Sequence, residues 1–402
     1  MTTTVDLVII GSGPAGLSTA LHLVQLDPGW ANRMLLLERA VHPRPKLCGG
    51  GVTRLGLNIL ADLGINFPLP LPQTQVEDVR LRYEARTIHV HGQPQFVIFH
   101  RPELDAYLAE QARHRGILIC ENETAKSIEV LGDSAIVRTD KRLIHAQIVV
   151  GADGIKGVVR RLFHRPGAPS RTARLLEVLA TASESEPHFT DHFAVFDFTS
   201  VRELLQGYIW EFPVWVNRRA HLNRGIYDAR LARRRPRADL LTVLDKSFES
   251  INPDSALSRV EGHPIHWFSP RNRISMARVL LVGDAAGVDP LFGEGIAPAF
   301  GYGQVAAEAI QQAFVKRDFR FKDFRWRLLR SKVGKYLLLR WCIAWWSYRL
   351  SGKPWFMRII WTIGQVLAAL WPHPQPLTKT KHYLTYIDEI PQDEKIADTA
   401  NE

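Results

Sequence analysis

A glycine-rich turn near the start of the chain constrains its fold more than any other feature. An apolar stretch over residues 5–10 leads into Gly11, Gly13 and Gly16, and residues 14–26 carry apolar side chains at helical spacing. In a Gly-x-Gly-x-x-Gly turn, the first glycine makes the tight turn and the second admits a pyrophosphate close to the backbone. The third lets the helix pack on the strand. The pattern predicts a strand, a turn and a helix whose first N–H groups face phosphates.

The next apolar stretch completes this unit. Residues 34–37 are apolar, and Glu38 follows them directly. At this place, dinucleotide-binding folds carry an acid that accepts hydrogen bonds from a ribose. Pro14 and Ala15 lie inside the glycine turn beside the predicted phosphates, and Arg39 follows the acid. We therefore predict a dinucleotide site here. A chance surface loop is the alternative for the glycine pattern taken alone.

The composition is that of an ordinary globular protein with an excess of positive charge. At 402 residues the chain exceeds the usual size of one hydrophobic core, so two domains are expected. The net charge of +10 is compatible with nucleic acid, an anionic membrane or an acidic substrate. Cys48, Cys120 and Cys342 lie far apart, which predicts neither a disulfide framework nor a metal site and fits a reducing cytoplasm. No uncharged apolar run reaches the length of a membrane span.

Two later strand ends carry an aspartate beside a glycine. Asp153 follows the mostly apolar residues 147–152, and Asp284 follows the mostly apolar residues 277–283. In this order, the glycine turn and the two aspartate segments resemble the glutathione-reductase-type flavoproteins, in particular their p-hydroxybenzoate hydroxylase-like branch. The resemblance covers about residues 1–320 and implies FAD as the cofactor.

The resemblance implies further contacts with FAD. It places Asp284 on a ribityl hydroxyl, with a helix N-cap as the alternative. It places Asp153 near the dinucleotide, with a plain strand-ending turn as the alternative. Gly293 and Gly295 flank a predicted helix start at Ile296, whose N–H groups would face the pyrimidine edge of the flavin. A simple helix-opening turn is the alternative there.

Two more segments resemble flavoprotein motifs. Arg101 begins an Arg-x-x-Leu-Asp segment, which implies a phosphate or flavin-edge contact, and a solvated arginine at a helix start is the alternative. Cys48 and Gly49 lie in a Lys-x-Cys-Gly-Gly loop that resembles the chlorophyll-pathway geranylgeranyl reductases. The loop implies that Cys48 is a catalytic residue over the flavin face, whereas a buried structural cysteine is the alternative. The archaeal form of the motif is broken at His42 and Pro45.

An aromatic strand resembles the strand that lines the lipid cavity of those reductases. Tyr208, Trp210 and Phe212 alternate along residues 207–216 and therefore share one face, and Pro213 completes the Tyr-x-Trp-x-Phe-Pro motif. The resemblance implies that these four residues line an apolar substrate pocket. An ordinary sheet core is the alternative.

The segment after residue 320 combines tryptophan with basic residues. Seven of the eleven tryptophans lie in it, at Trp326, Trp341, Trp345, Trp346, Trp355, Trp361 and Trp371. Tryptophan, lysine and arginine around apolar stretches are typical of a helix at a membrane interface. We predict contact with an anionic membrane surface, with a packed helical cap as the alternative. The long apolar stretches argue against nucleic acid as a partner.

These patterns predict an α/β protein of mixed α+β character. It has a Rossmann-like FAD-binding domain, a β-sheet substrate domain and a C-terminal helical tail. The predicted boundaries are 1–75, 100–168 and 271–320 for the discontinuous FAD-binding domain, 76–99 and 169–270 for the substrate domain, 321–372 for the basic tail and 373–402 for a flexible C-terminus.

The combined interpretation is an FAD-dependent oxidoreductase that reduces C=C bonds of a prenyl chain of geranylgeranyl type. It would act on an isoprenoid lipid in the cytoplasm, with peripheral contact to the inner membrane face. No second dinucleotide fingerprint is visible, so electrons would come from transiently bound NAD(P)H or a ferredoxin-type carrier. Two alternatives stay open: an FAD-dependent aromatic monooxygenase, and a non-catalytic FAD-bound membrane adaptor. The prenyl substrate and the oligomeric state do not follow from the sequence.

Overall fold

Two β-sheets and a set of flanking helices make up the part of the chain that the computed structural model describes, residues 2–164, 171–249 and 260–370. The strands are β1 (Thr2–Ile10), β2 (Met34–Leu37), β3 (Gly51–Thr53), β4 (Gln73–Tyr83), β5 (Arg86–Phe99), β6 (Ile119–Cys120), β7 (Ala125–Val130), β8 (Ala135–Thr139), β9 (Leu143–Gly151), β10 (Thr172–Thr181), β11 (Phe193–Asp197), β12 (Gly207–Val216), β13 (Arg219–Asp228), β14 (Glu261–His266), β15 (Ser275–Met276) and β16 (Val279–Leu281). The helices are α1 (Pro14–Leu26), α2 (Arg54–Asp62), α3 (Arg101–His114), α4 (Val158–Arg161), α5 (Pro187–Thr190), α6 (Leu240–Glu249), α7 (Ile296–Lys316), α8 (Phe324–Arg330), α9 (Lys332–Leu350) and α10 (Pro354–Leu370).

The first sheet contains the predicted dinucleotide unit. Its strand order is β15-β16-β9-β1-β2-β6, and β8 pairs with both β9 and β7 at its side. Strand β1 lies between β2 and β9 and is parallel to both. Leu7, Val8 and Ile9 are fully buried in succession, so both faces of this strand are covered. A continuous apolar run is what a parallel strand buried on both faces requires.

The second sheet has the order β14-β10-β13-β12-β11-β4-β5-β3 and is antiparallel except between β4 and β11. This sheet includes β3, and its long β4–β5 hairpin begins at Gln73. Residues before position 76, the predicted start of the substrate domain, therefore also belong to the sheet. The Cys48 loop leads directly into β3 and therefore joins the two sheets. The α/β class with two sheets and a helical C-terminal region is confirmed.

The inner face of the tail packs against the second sheet. The indole Nε1 of Trp361 donates a hydrogen bond to the carbonyl of Leu81 (3.1 Å), and its ring lies 5.3 Å from that of Tyr83. The hydroxyl of Tyr348 donates to the carbonyl of Leu291. Much of the tail is therefore a helical cap. Trp371 and the predicted flexible C-terminus lie outside the described residues.

The outer face of α9 and α10 is apolar and exposed. Trp346 and Trp355 are 62% and 56% exposed. Other exposed apolar side chains on these helices are Leu339, Ile343, Ile359, Ile363, Val366, Leu367 and Leu370. Among the described helices, none combines the length and the apolar character needed to cross a membrane. The tail thus has one face packed on the protein and one apolar face turned outward.

Candidate active site

A cavity of about 940 Å³ is lined by residues of both sheets and of the tail. Every residue predicted to hold the cofactor lines it except Gly16. Of the predicted substrate-pocket residues, Tyr208, Trp210 and Phe212 line the same cavity, and Pro213 does not. The structure therefore brings the separate sequence motifs together around one space.

The glycine turn forms one wall of this cavity. Gly11 has a φ of +103°, and a Cβ there would overlap the carbonyl oxygen of Ala152. Gly16 lies beneath the turn, where a Cβ would overlap the carbonyl oxygen of Gly11. This position explains why Gly16 packs the helix instead of lining the cavity. Gly13 is the N-cap of α1 and forms no side-chain cap, so the first N–H groups of the helix are free to meet an anion.

Glu38 is held in place at the end of β2. Its Oε2 accepts hydrogen bonds from the backbone N of Ser12 (3.1 Å) and from the Ser12 hydroxyl (3.0 Å). Its Oε1 accepts one from the backbone N of Ala40 (3.1 Å). The Nε of Arg44 lies 3.2 Å from Oε2. The carboxylate is buried apart from the side that borders the cavity.

Arg101 is buried in a network of charges that reaches from Glu38 to Cys48. Its guanidinium forms two hydrogen bonds of 2.9 Å with Asp105, which is fully buried and lies 3.5 Å from Arg44 Nη1. Burial alone would lower the pKa of Arg101, but the Asp105 carboxylate and the Cys48 thiol beside it raise that pKa above its usual range. Arg101 is only 6% exposed, so it is not a solvated helix-start arginine.

The two strand-ending aspartates lie in different environments. Asp153 caps α4, because its Oδ2 accepts a hydrogen bond from the backbone N of Val159 (2.9 Å). Its Oδ1 is buried and finds no hydrogen-bond partner among the described residues. Burial raises the pKa of Asp153 to about 6. Asp284 lies in a short 3-10 turn with its carboxylate 29% exposed, 3.7 Å from the ammonium of Lys46.

A second helix N-terminus borders the cavity. Gly295 is the N-cap of α7, which begins at Ile296, and no side chain caps this end. Gly293 has a φ of +68°, a conformation that favours glycine. The partial positive charge of a long helix therefore meets the cavity beside Asp284.

Aromatic side chains of the second sheet form the apolar wall. Tyr208, Trp210 and Phe212 lie on one face of β12, with successive ring centroids 6.4 and 6.3 Å apart. Phe196 of β11 packs 5.1 Å from Phe212. Pro213 does not line the cavity, because side chains alternate along a strand and it follows Phe212. The prediction that Pro213 lines the substrate pocket is therefore wrong.

A buried polar chain connects this wall to the Cys48 loop. The indole Nε1 of Trp210 donates to Asn223 Oδ1 (2.7 Å). The Asn223 amide donates to Glu177 Oε1 (2.9 Å) and to the backbone carbonyl of Cys48 (3.4 Å). Burial raises the pKa of Glu177. The contacts fix the orientation of the indole relative to the loop.

The tail brings to the cavity an arginine that the sequence patterns do not predict. Arg340 of α9 lies with Nη1 2.7 Å from Asp289 Oδ2 and 3.6 Å from Glu294 Oε2. Glu294 also accepts hydrogen bonds from the hydroxyls of Thr53 and Tyr336. Burial raises the pKa of Glu294. No local pattern marks an arginine inside a tryptophan-rich segment as part of a distant site.

A comparison with known protein families shows the family of the chain. A profile of the FAD binding domain family matches residues 4–298. The chain belongs to this family of FAD-dependent oxidoreductases. FAD, the cofactor that the resemblance implies, is thus the cofactor of the family to which the chain belongs.

Two relatives and one solved structure show which flavoproteins this chain resembles. Digeranylgeranylglycerophospholipid reductase 1 of Methanothermobacter thermautotrophicus is 27% identical, and the alignment covers 85% of this chain and 87% of the relative. The menaquinone reductase of Mycolicibacterium smegmatis is 26% identical over 77% of this chain and 76% of the relative. A solved geranylgeranyl bacteriochlorophyll reductase-like protein of Thermoplasma acidophilum shares the fold, with a TM-score of 0.72, 19% identity and coverage of 92% and 91%. The predicted resemblance to the geranylgeranyl reductase family is confirmed.

The residues around the cavity of this flavoprotein fit FAD. The glycine turn leaves room for a cofactor at Gly13, where a Cβ would meet only the Arg44 guanidinium at 3.4 Å, and uncapped N–H groups of two helices suit the anionic parts of the cofactor. Glu38 and Asp284 border the cavity with carboxylates that would accept hydrogen bonds from ribose and ribityl hydroxyls. The unpaired Oδ1 of Asp153 is a further acceptor at the same wall.

Proposed function

We propose that this flavoprotein reduces C=C bonds of a prenyl chain of geranylgeranyl type. The observation that carries the proposal is that one cavity contains both the glycine turn with Glu38 and the aromatic wall of Tyr208, Trp210 and Phe212. A cofactor bound at the turn and an apolar chain bound along the wall would share this space. The name of one relative, a reductase of a digeranylgeranylglycerophospholipid, supports the same substrate class.

Saturation of one double bond adds a hydride equivalent to one carbon and a proton to the other. Bound FAD, once reduced, supplies the hydride equivalent, which is the redox chemistry that the side chains lack. The electrons come from outside the protein, for which we propose NAD(P)H or a ferredoxin-type carrier. The proton comes from an acid in contact with solvent.

The chain itself binds and orients the substrate. Gly49 packs against the aromatic wall, since a Cβ there would lie 3.0 Å from the Phe212 ring, and this contact holds the loop beside the wall. We propose that Cys48, beside Arg101, faces the reacting carbons from this loop. Trp210, fixed by Asn223, keeps water away from the same place.

We also propose that the outer face of the tail meets an anionic membrane, where a prenyl lipid resides. Lys335, Leu339, Ile343 and Trp346 follow one another at spacings of a helical face, and all four are exposed. Apolar anchors and positive charge on one surface are the two signals that stable peripheral binding requires.

Product analysis tests the proposed reaction. The FAD-loaded protein is mixed with anionic vesicles that contain a digeranylgeranyl phospholipid and with dithionite, and the lipid is examined by mass spectrometry. We expect lipid that has gained pairs of hydrogen atoms, and less of it with Trp210→Ala. Oxygen-dependent hydroxylation of an aromatic compound driven by NAD(P)H would instead identify a monooxygenase. A flavin that no isoprenoid reoxidises would identify a non-catalytic adaptor.

A further inference from the structure

A histidine-rich cluster lies on the back of the cavity wall. In the hairpin of β4 and β5, Asp78 pairs with His91 and Arg80 pairs with His89. Side chains alternate along a strand, so these residues share one face. Val90, between the two histidines, points to the other face and lines the cavity.

The distances in this cluster match those between the ligands of a small metal ion. His89 Nδ1 lies 3.2 Å from Asp78 Oδ1, and His91 Nδ1 lies 3.7 Å from the same oxygen. One ligand atom from each of the three residues lies within 4.8 Å of the others. A tetrahedral zinc ion with bonds of about 2.1 Å holds its ligand atoms about 3.4 Å apart. The two observed separations bracket that value.

We propose that Asp78, His89 and His91 bind one divalent transition metal ion of the zinc class, with water as the fourth ligand. Two imidazoles and a carboxylate are donors that zinc prefers. The side chains of His89 and His91 are 47% and 52% exposed, so the ion has a path from solvent. Asp78 is mostly buried and supplies a fixed anionic ligand at the base of the site.

A neighbouring arginine orients the carboxylate. Arg80 Nε donates a hydrogen bond to Asp78 Oδ2 (2.8 Å), and the Arg80 guanidinium lies 3.4 Å from the centre of the Phe193 ring. This contact leaves Oδ1, the oxygen nearer His91, as the one that faces the metal. Hydrogen bonds from outside the ligand shell commonly orient metal-binding carboxylates in this way.

The position of the site assigns it a structural role. A bound ion would join β4 to β5 across the hairpin, whose opposite face carries the cavity-lining residues Val79, Leu81 and Val90. The histidines point away from that cavity, so the ion does not reach the reacting atoms. The metal therefore stabilises the cavity wall from behind.

Zinc binding is measured by calorimetry on protein without a histidine tag, after treatment with a chelator. We expect one zinc ion per chain, and we expect His89→Ala and His91→Ala each to weaken binding by about tenfold or more. Zinc should also raise the unfolding temperature of the wild type but not of the double variant. The control is His114→Ala, an exposed histidine 3.2 Å from Glu110 that lacks further ligands in the described structure and should leave binding unchanged.

Both test positions are half-exposed, and equal flavin content and circular dichroism verify that each variant is folded. Wild-type protein that binds no zinc would overturn the proposal and leave only an ion-pair cluster around Asp78. Equal weakening by His114→Ala would overturn it as well, because binding would then be unspecific.

Discussion

Arg340 of α9 lies 2.7 Å from Asp289 (Nη1 to Oδ2), and this ion pair connects the tail to the loop that precedes α7. Asp289 is fully buried, and its carboxylate also accepts hydrogen bonds from the backbone N of Leu291 and Phe292. Burial alone would lower the pKa of Arg340, but Asp289 and Glu294 raise it above its usual range. The tail is thus a structural part of the cavity.

Loss of this arginine should destabilise the whole protein. In Arg340→Met the buried carboxylate of Asp289 loses its opposite charge, and we expect the free energy of unfolding to fall by about 3 kcal/mol. Urea denaturation measures the change. Arg320→Met is the matched control, because that arginine forms an exposed pair with Asp318 and should have no measurable effect. Equal losses in the two variants would contradict the role of Arg340.

Glu38→Gln should weaken FAD binding without unfolding the chain. The amide keeps an oxygen for hydrogen bonding but loses the charge that strengthens a bond from a ribose hydroxyl. We expect a loss of about 1–2 kcal/mol in the binding free energy of FAD, measured by flavin fluorescence. Glu110→Gln, on the exposed side of α3, serves as the control. An unchanged dissociation constant for Glu38→Gln would exclude Glu38 from the cofactor site.

Asp153 should make the stability of the apoprotein depend on pH. Burial raises the pKa of Asp153 to about 6, above the value of about 3.9 in an unfolded chain. The folded state therefore binds the Asp153 proton more tightly than the unfolded state does. Burial of the charged carboxylate lowers the free energy of unfolding by its full amount above about pH 6, and this loss disappears below the pKa of the unfolded chain. Asp153→Asn should stabilise the apoprotein by about 2 kcal/mol at about pH 8 and by almost nothing near pH 4. Urea denaturation at the two pH values checks this, and an effect independent of pH would refute it.

Cys48 and Trp210 should affect turnover more than folding. Cys48→Ser preserves the size of the loop residue but changes its polarity, so we expect retained FAD and prenyl reduction at least about tenfold slower. Trp210→Ala should open the apolar wall with a similar effect. Trp215→Ala, on the opposite face of β12, is the matched control and should leave the rate near that of the wild type. Wild-type rates in both Cys48→Ser and Trp210→Ala would mean that the site is misassigned.

The tail should bind anionic vesicles in a salt-dependent way. Replacement of four basic residues by glutamine, at Arg327, Arg330, Lys332 and Lys335, should reduce co-sedimentation with the vesicles and leave the flavin spectrum unchanged. Exposed charges are screened beyond about 10 Å at 0.1 M salt, so binding of the wild type should also decrease as salt is added. Neutral vesicles are the control. Equal sedimentation of both proteins, or of neither, would show that the tail is only a packed cap.

The sequence could predict the parts of the site that depend on local pattern. The roles of Gly11 and Gly16 follow from spacing alone, and alternation alone puts Tyr208, Trp210 and Phe212 on one face. Alternation also turns Pro213 away from the cavity, although it belongs to the same motif. The motif was therefore a poorer guide to contact than the geometry of the strand.

Contacts between distant segments could not be predicted in the same way. Arg340 meets Asp289 only because α9 folds back over the cavity, and nothing near either residue marks that packing. Asp78 meets His89 and His91 only in one register of the β4–β5 hairpin, which includes an irregularity after Val76. A shift of one residue in that register would separate the three side chains.

The most direct test of the central claim is a single-turnover experiment without oxygen. The FAD-loaded protein is reduced chemically, excess reductant is removed, and a digeranylgeranyl phospholipid is added in anionic vesicles while the flavin absorbance is recorded. The account predicts that oxidised flavin reappears and that one double bond is saturated for each flavin reoxidised, with a saturated lipid from the same vesicles producing no change. A flavin that stays reduced with the unsaturated lipid, in protein that binds FAD and vesicles normally, would contradict the account.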